Sequence, residues 1–250
     1  MQAYKKMANV RKQQGISLIE LMISMGLGLF LLAGISYAFI TMNNTAITRK
    51  NLSDLNDTQR ISMYLLTSFL QQTGYYIYAT GVSSTTAFPV ETFSNTGTTV
   101  SFAAGQTLSG TSGTSDTISV RYFTNPDFPQ GTCSGMSSSS ASVKYIDVFS
   151  IDSSGSLICK ESAGGTYTTR TIADNVSNIK VTYGVESGSN SGSVNVYVTD
   201  PTLFPVTYPW TAIKTVTITL TYVYKDKNLS TGLTSTKAFS RTIPVMNAVI

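Results

Sequence analysis

The sequence predicts an α+β protein in which one long N-terminal helix, first apolar and then amphipathic, packs on an antiparallel β-sheet head. Three observations predict it. Residues 21–40, LMISMGLGLFLLAGISYAFI, run without a charge. Residues 41–73 turn polar but keep an apolar face at the helical period, and from Tyr75 onward the apolar residues recur with a period of two. The chain therefore divides into a cytoplasmic leader (1–15), a transmembrane helix (16–40), its amphipathic continuation (41–73) and an extracytoplasmic β-rich head (74–250).

Charge identifies the leader. Of the 17 basic residues, Lys5, Lys6, Arg11 and Lys12 fall in the first 15 positions, which hold no acid, and the remaining 13 balance the 13 acidic residues. The formal charge of +4 is thus a topology signal that keeps the N-terminus in the cytoplasm. A phosphate-binding surface needs clustered Lys and Arg, and with none downstream no nucleic-acid partner is indicated. Met7 offers a second start position that leaves the following motif unchanged.

At 1.5 Å per residue, residues 21–40 cover roughly 30 Å, the thickness of a bilayer's hydrocarbon core. Glu20 is the anomaly of this segment. A carboxylate in the bilayer core costs about 2.5–3.5 kcal/mol on insertion scales, so it marks a function with a specific partner. Proteolysis after Gly15 would create such a partner, because Ile16 would then carry an ammonium group at the same membrane depth, where Glu20 of a neighbouring subunit neutralises it.

The segment KKMANVRKQQGISLIELMISMGLGLFLLAG resembles the class III leader of type IV pilins and type II secretion pseudopilins. It has the basic stretch, then Gly15-Ile16-Ser17-Leu18-Ile19-Glu20, then an uninterrupted apolar helix. The resemblance implies cleavage between Gly15 and Ile16 by prepilin peptidase, N-methylation of Ile16, and docking of Glu20 onto a neighbouring subunit's N-terminus. It also implies partners: other major and minor pilins through the N-terminal helix, and an inner-membrane assembly platform. Ile16 departs from the usual phenylalanine. Two further readings stay open, a secretory signal peptide cut at Ser36-Tyr37-Ala38 and a plain anchor whose Glu20 reaches for the cytoplasmic headgroups.

Past Ile40, Leu52, Leu55, Met63, Leu65, Leu66, Phe69 and Leu70 fall in one arc of a helical projection. Ser53, Asp57, Arg60, Thr67, Ser68 and Gln71 face away, and Ile61 is the outlier. Gly74 is placed as the C-cap. One helix from 16 to about 73 is expected, with a break at Asn43-Asn44 as the alternative because adjacent asparagines are poor helix formers. Major pilins usually carry a proline near the position of Tyr37; this chain has none before Pro89, and Gly26, Gly28 and Gly34 are its only local softening. Those glycines suit close packing of helices in the membrane, and close packing of lipid is equally compatible with them.

In the head, Thr215, Thr217, Thr219 and Thr221 alternate with Val216, Ile218, Leu220 and Tyr222, which places the apolar set on one face of a strand. Similar alternation marks 116–122, 143–151, 179–183 and 194–198, separated by turn-rich stretches at 105–115, 134–142 and 184–193. Cys133 and Cys159 both lie in the extracytoplasmic part, where thiols oxidise, so a disulfide is expected, stabilising by roughly 3–4 kcal/mol in the chain-entropy model. With no histidine and two cysteines, a zinc site and a Ser-His-Asp or Cys-His catalytic pair are excluded, and the absence of clustered acids and of a G-x-S-x-G elbow argues against an enzyme.

The stretch ADNVSNIKVTYGVESGSNSGSVNVYV from Ala173, then WTAIKTVTITLTYVYK and the closing RTIPVMNAVI, is similar to the C-terminal half of PilW-type minor pilins. The likeness covers about 11–80 and 170–250, and leaves 81–170 as an expected variable surface region. It implies a minor pilin of type IV pilus assembly that helps start the fibre and resides at or near its tip, with a tip adhesin among its partners. A J-like pseudopilin of type II secretion and a membrane-anchored adhesin are the alternatives. The implied location is the inner membrane, with the N-terminus cytoplasmic and the head periplasmic, and afterwards the surface fibre. Where that family often carries an Asp-rich loop, Glu186-Ser187-Gly188-Ser189-Asn190-Ser191-Gly192 offers one carboxylate and one amide, too few for calcium, so no metal or other cofactor is expected. The many tyrosines sit mostly in strand patterns, where they are ordinary core residues.

Overall fold

The computed structural model describes residues 15–76, 82–95, 97–125, 130–136, 141–188, 192–204, 206–225 and 234–245. The basic leader positions lie outside the described residues, as do Tyr78, residues 137–140 and residues 189–191.

A single helix, α1 (Leu18–Gln71), runs unbroken for 54 residues, about 80 Å at the α-helical rise. It passes through Asn43-Asn44 without the break held as the alternative. The hydroxyls of Thr41 and Thr45, on either side of that pair, donate to the carbonyls four residues back at 3.0 and 2.9 Å and so stay within the helix. The helix turns over after Gln72, and Gly74, expected as its cap, lies beyond it at φ 77°. There it donates its N–H to the carbonyl of Arg121 at 3.0 Å, tying the helix exit to the head in a conformation that a Cβ would strain.

The lower half of α1 buries Leu55, Met63, Leu66, Phe69 and Leu70, half-buries Leu52 and Leu65, and leaves Ile61 exposed. Thr67 departs from the projection, being buried rather than outward. Its hydroxyl donates to the Met63 carbonyl at 2.6 Å, which lets a polar side chain sit inside.

The head begins with a one-turn helix, α2 (Ser84–Ala87), capped by Ser83, and a hairpin of β1 (Glu91–Asn95) and β2 (Thr98–Phe102). Next come β3 (Leu108–Thr111), β4 (Thr117–Phe123) and the two-residue ladder of β5 (Gly131–Thr132) and β6 (Gly135–Met136). They are followed by β7 (Lys144–Ile151), β8 (Leu157–Ala163), β9 (Thr166–Ala173), β10 (Val176–Val185), β11 (Val196–Val198), β12 (Ile213–Lys225) and β13 (Thr234–Pro244). Two antiparallel sheets result, β3-β4-β7-β8-β9 and β11-β10-β12-β13.

The middle segment is therefore architecture rather than a variable surface. It supplies the whole first sheet apart from the end of β9, and β3 lies inside the stretch expected as a turn. One face of the sheet meets α1, with Phe69 stacked on Phe149 at 5.4 Å between ring centroids. Its other face is roofed by the β1–β2 hairpin, where Phe93, Val100 and Phe102 cluster with Ile146 and Val148. Burial on both faces explains why β4 and β7 carry near-continuous buried runs. In the second sheet Val216, Ile218, Leu220 and Tyr222 face the core, and Thr217 and Thr219 face outward, bonded to Thr242 and Ser240 on β13. Trp210 opens a 3-10 turn (Trp210–Ala212) just before β12 rather than the strand itself. The two sheets are laced by Asp116, whose backbone N–H donates to Ile179 and whose carboxylate accepts the Val181 N–H at 2.9 Å and the Lys180 ammonium at 3.1 Å.

Cys133, in the turn between β5 and β6, is joined to Cys159 of β8 by a disulfide with Cα atoms 6.2 Å apart. Arg121 on β4 is fully buried between the rings of Phe88 and Phe102. Its guanidinium donates to the carbonyls of Pro89 at 2.7 Å, Ala103 at 2.7 Å, Phe88 at 3.2 Å and Gln106, so one cation ties together the two ends of the connection between α2 and β3.

Candidate functional site

The chemistry-bearing residues of the N-terminus, Gly15, Ile16 and Glu20, lie together at the start of α1. Gly15, Ile16 and Ser17 are non-helical, with Ser17 extended at φ −66° and ψ 141°, and the first helical bond runs from the Leu21 N–H to the Ser17 carbonyl at 3.1 Å. The Gly15–Ile16 peptide bond thus sits in exposed, non-helical chain immediately ahead of a helix, the form in which a peptidase gains access to backbone. A Cβ added at Gly15 would meet nothing within 4 Å, so the chain's own packing does not require glycine there.

Glu20 stands in the first turn of α1, where the unpaired N–H groups and the helix dipole favour a carboxylate. Its side chain is exposed, and among the described residues no cation pairs with it. The neighbouring Ser24 hydroxyl turns back to the Glu20 carbonyl at 2.7 Å and is unavailable as a partner for the carboxylate. What the geometry leaves is a lone carboxylate on an apolar rod, four residues from the first residue after Gly15.

Among the described residues the rod has no partner within the chain. Leu18, Ile19, Leu21, Phe30, Tyr37 and Phe39 are each more than half exposed, and the helix is long and apolar enough to cross a membrane. Gly26, Gly28 and Gly34 have nothing within 4 Å of an added Cβ, so their small size serves no contact inside the molecule. In an apolar helix, glycines without an internal use are suited to the close approach of another helix.

Among the described residues of the head, the tyrosines serve mostly in packing. Tyr183 and Tyr222 are core residues, Tyr183 packing edge-on to Phe204 and Trp210, while Tyr75, Tyr76, Tyr208 and Tyr224 are half-buried and Tyr197 is exposed. A groove of about 380 Å³ between α1 and β12 is lined by Asn51, Asp54, Leu55, Asp174, Asn175 and Tyr222 among others, and its two carboxylates are too few for a calcium cage. The sulfurs of Cys133 and Cys159 approach the Asp147 carboxylate, but they are spent in the disulfide and offer no thiolate to a metal. The Glu186 loop joins β10 to β11, and Glu186 pairs with Lys214 at 3.2 Å.

Sequence reasoning missed the buried Asp147 and Glu161, which face each other across β7 and β8. The available signal was weak: each is a lone acid in an otherwise strand-like run.

Compared with known families, residues 10–36 match the prokaryotic N-terminal methylation motif. The match spans the end of the leader, Gly15, Ile16, Glu20 and most of the apolar helix, and it supports a pilin-like protein of a pilus or pseudopilus. Comparison with curated proteins finds no match.

Proposed function

We propose that the protein is a minor pilin of the PilW type, taking part in type IV pilus assembly, helping to initiate the fibre and residing at or near its tip. The observation that carries this is Glu20, a carboxylate without an ion-pair partner among the described residues, in the otherwise uncharged apolar half of α1, five residues after Gly15. Prepilin peptidase removes residues 1–15 and Ile16 becomes N-methylated. The chain waits in the inner membrane with its head in the periplasm, then leaves the bilayer as α1 packs among the helices of other pilins. In that bundle Glu20 meets the cationic N-terminus of a neighbour, and the close approach it needs is served by Gly26, Gly28 and Gly34. The role is mechanical and not catalytic.

Mass spectrometry of the protein isolated from cells tests the reading. A methylated chain beginning at Ile16 is expected; a chain that begins at Met1, or at Phe39 after signal-peptide cleavage, removes it. A J-like pseudopilin shares the same helix chemistry, and the gene's neighbours, pilus or secretion genes, separate the two.

A further inference from the structure

The first sheet holds a titratable cluster distinct from the residues at the start of α1. Asp147 of β7 is fully buried, faces Glu161 across the β7–β8 pairing, and brings a carboxylate oxygen within 4.8 Å of both disulfide sulfurs. One of its oxygens accepts the Tyr122 hydroxyl at 2.9 Å, and the other, also buried, has no partner among the described residues. Glu161 is occupied, accepting the Ser134 N–H at 3.2 Å and the Ser134 hydroxyl at 2.6 Å, which fixes the residue next to Cys133. The titratable groups that face Asp147 are thus Tyr122 from β4, Tyr145 beside it on β7 and Glu161 from β8. Arg170 of β9 stands opposite Cys159 but is exposed. Burial, followed by the Glu161 charge, raises Asp147 well above the usual carboxylate range.

We propose that Asp147 is the proton acceptor that closes the Cys133–Cys159 disulfide. The two sulfurs are unequal, because Cys133 is half-buried in its turn and Cys159 is completely buried on β8. An external disulfide, R–S–S–R, therefore meets Cys133 first. The Cys133 thiolate attacks it, forming Cys133–S–S–R and releasing one RS⁻. The Cys159 thiol then gives its proton to the Asp147 carboxylate as its sulfur bonds to Cys133 Sγ and the second RS⁻ leaves. Both RS⁻ groups take protons from solvent, so two protein thiols are oxidised and one small disulfide is reduced to two thiols. A buried thiol is a poor nucleophile without a base beside it, and a carboxylate of raised pKa is a closer match to a thiol than an ordinary one. The inference does not depend on the role proposed for α1.

The test uses the full chain in detergent micelles, reduced under native conditions with a phosphine and reoxidised with oxidised glutathione. Acid-quenched samples are resolved by mass spectrometry into reduced, mixed-disulfide and closed forms. Asp147→Asn, which keeps the shape and the bond to Tyr122, is expected to leave mixed-disulfide formation at Cys133 unchanged, to slow closure at least about tenfold, and to lose the inflection that Asp147 gives the pH profile of closure, leaving only the rise with thiol ionisation. Tyr122→Phe, which disturbs the same site but keeps the carboxylate, is expected to retain that inflection. Closure by Asp147→Asn at the wild-type rate with the wild-type pH profile overturns the proposal, as does an equal slowing with an equal loss of the inflection in Tyr122→Phe.

Discussion

Among the described residues Arg121 has the largest side chain that the head buries completely, and its energetics differ from those of a surface ion pair. Burial lowers its pKa to about 10, against the partial compensation of Glu91, yet it stays charged at neutral pH because carbonyls surround it. Glu91 itself is better paired with Lys144, at 2.6 Å against 3.8 Å to Arg121. Replacing Arg121 by Met would therefore not strand the acid but would leave several buried carbonyls unpaired, at roughly 1–3 kcal/mol each. A fall of about 3 kcal/mol or more in unfolding free energy is expected from the denaturant midpoint of Arg121→Met, and Arg121→Lys, which lacks the planar fork, should recover only part of it. Asp147 makes a prediction of the opposite sign. Its folded-state pKa is raised, so the folded head binds its proton more tightly than the unfolded chain does. Its contribution is complete below the unfolded value near 4 and is lost as pH rises from there toward the folded pKa. In thermal melts from pH 4 to pH 8, Asp147→Asn should lose that decline and overtake wild type at the alkaline end; parallel curves for the two proteins would refute it.

Among the elements, α1 and β12 were the most legible. An uncharged run long enough for a bilayer, followed by apolar residues at the helical period, left few options for α1, and strict Thr/apolar alternation did the same for β12. β8 and β9 were hidden for physical reasons. In β8, LICKESA, Glu161 points inward beside Cys159 and Leu157 because Ser134 satisfies it, so the expected alternation is broken by a solvated-looking residue on the buried face. β9 is an edge strand with little buried surface and hence no apolar pattern at all. The hairpin β1–β2 was lost because its core residues Phe93, Val100 and Phe102 serve only a small separate cluster. The candidate site was legible because its signal is chemical: an acid in an apolar helix is costly wherever the helix goes. What the helix meets was not legible, since among the described residues nothing buries α1 from Leu18 to Ile40. Glu20→Ala should keep membrane insertion, because it removes a cost, and should lose incorporation into fibres, read by quantifying the protein in sheared surface fibres against the membrane fraction. Equal amounts of wild type and variant in the fibre fraction would remove the charge pairing from the mechanism.

At the scale of the whole molecule, the two halves of α1 belong to different cooperative units. The main core joins Leu55, Met63, Leu66, Phe69 and Leu70 to Ile118, Val120 and Phe149 of the first sheet and to Ile179, Val216, Ile218 and Leu220 of the second. The second half of the helix is therefore the wedge between two sheets, and Gly74, bonded to Arg121, anchors its end. The first half contributes no buried apolar residue to that core, and its exposed surface requires lipid, detergent or other helices. Two truncations separate these roles. A chain beginning at Thr45 should be monomeric without detergent and unfold in one transition, with the disulfide adding roughly 3–4 kcal/mol that Cys133→Ser or Cys159→Ser removes. A chain beginning at Tyr75 keeps every strand and the disulfide but loses the wedge, leaving the inner faces of both sheets bare, so it should be insoluble or bind a hydrophobic dye strongly. If the Tyr75 chain proved as soluble and cooperative as the Thr45 chain, the helix would be an appendage to the head. If instead the Thr45 chain unfolded in two transitions, the sheets would be separate units that α1 only tethers, and force applied to the helix in a fibre would reach them one at a time.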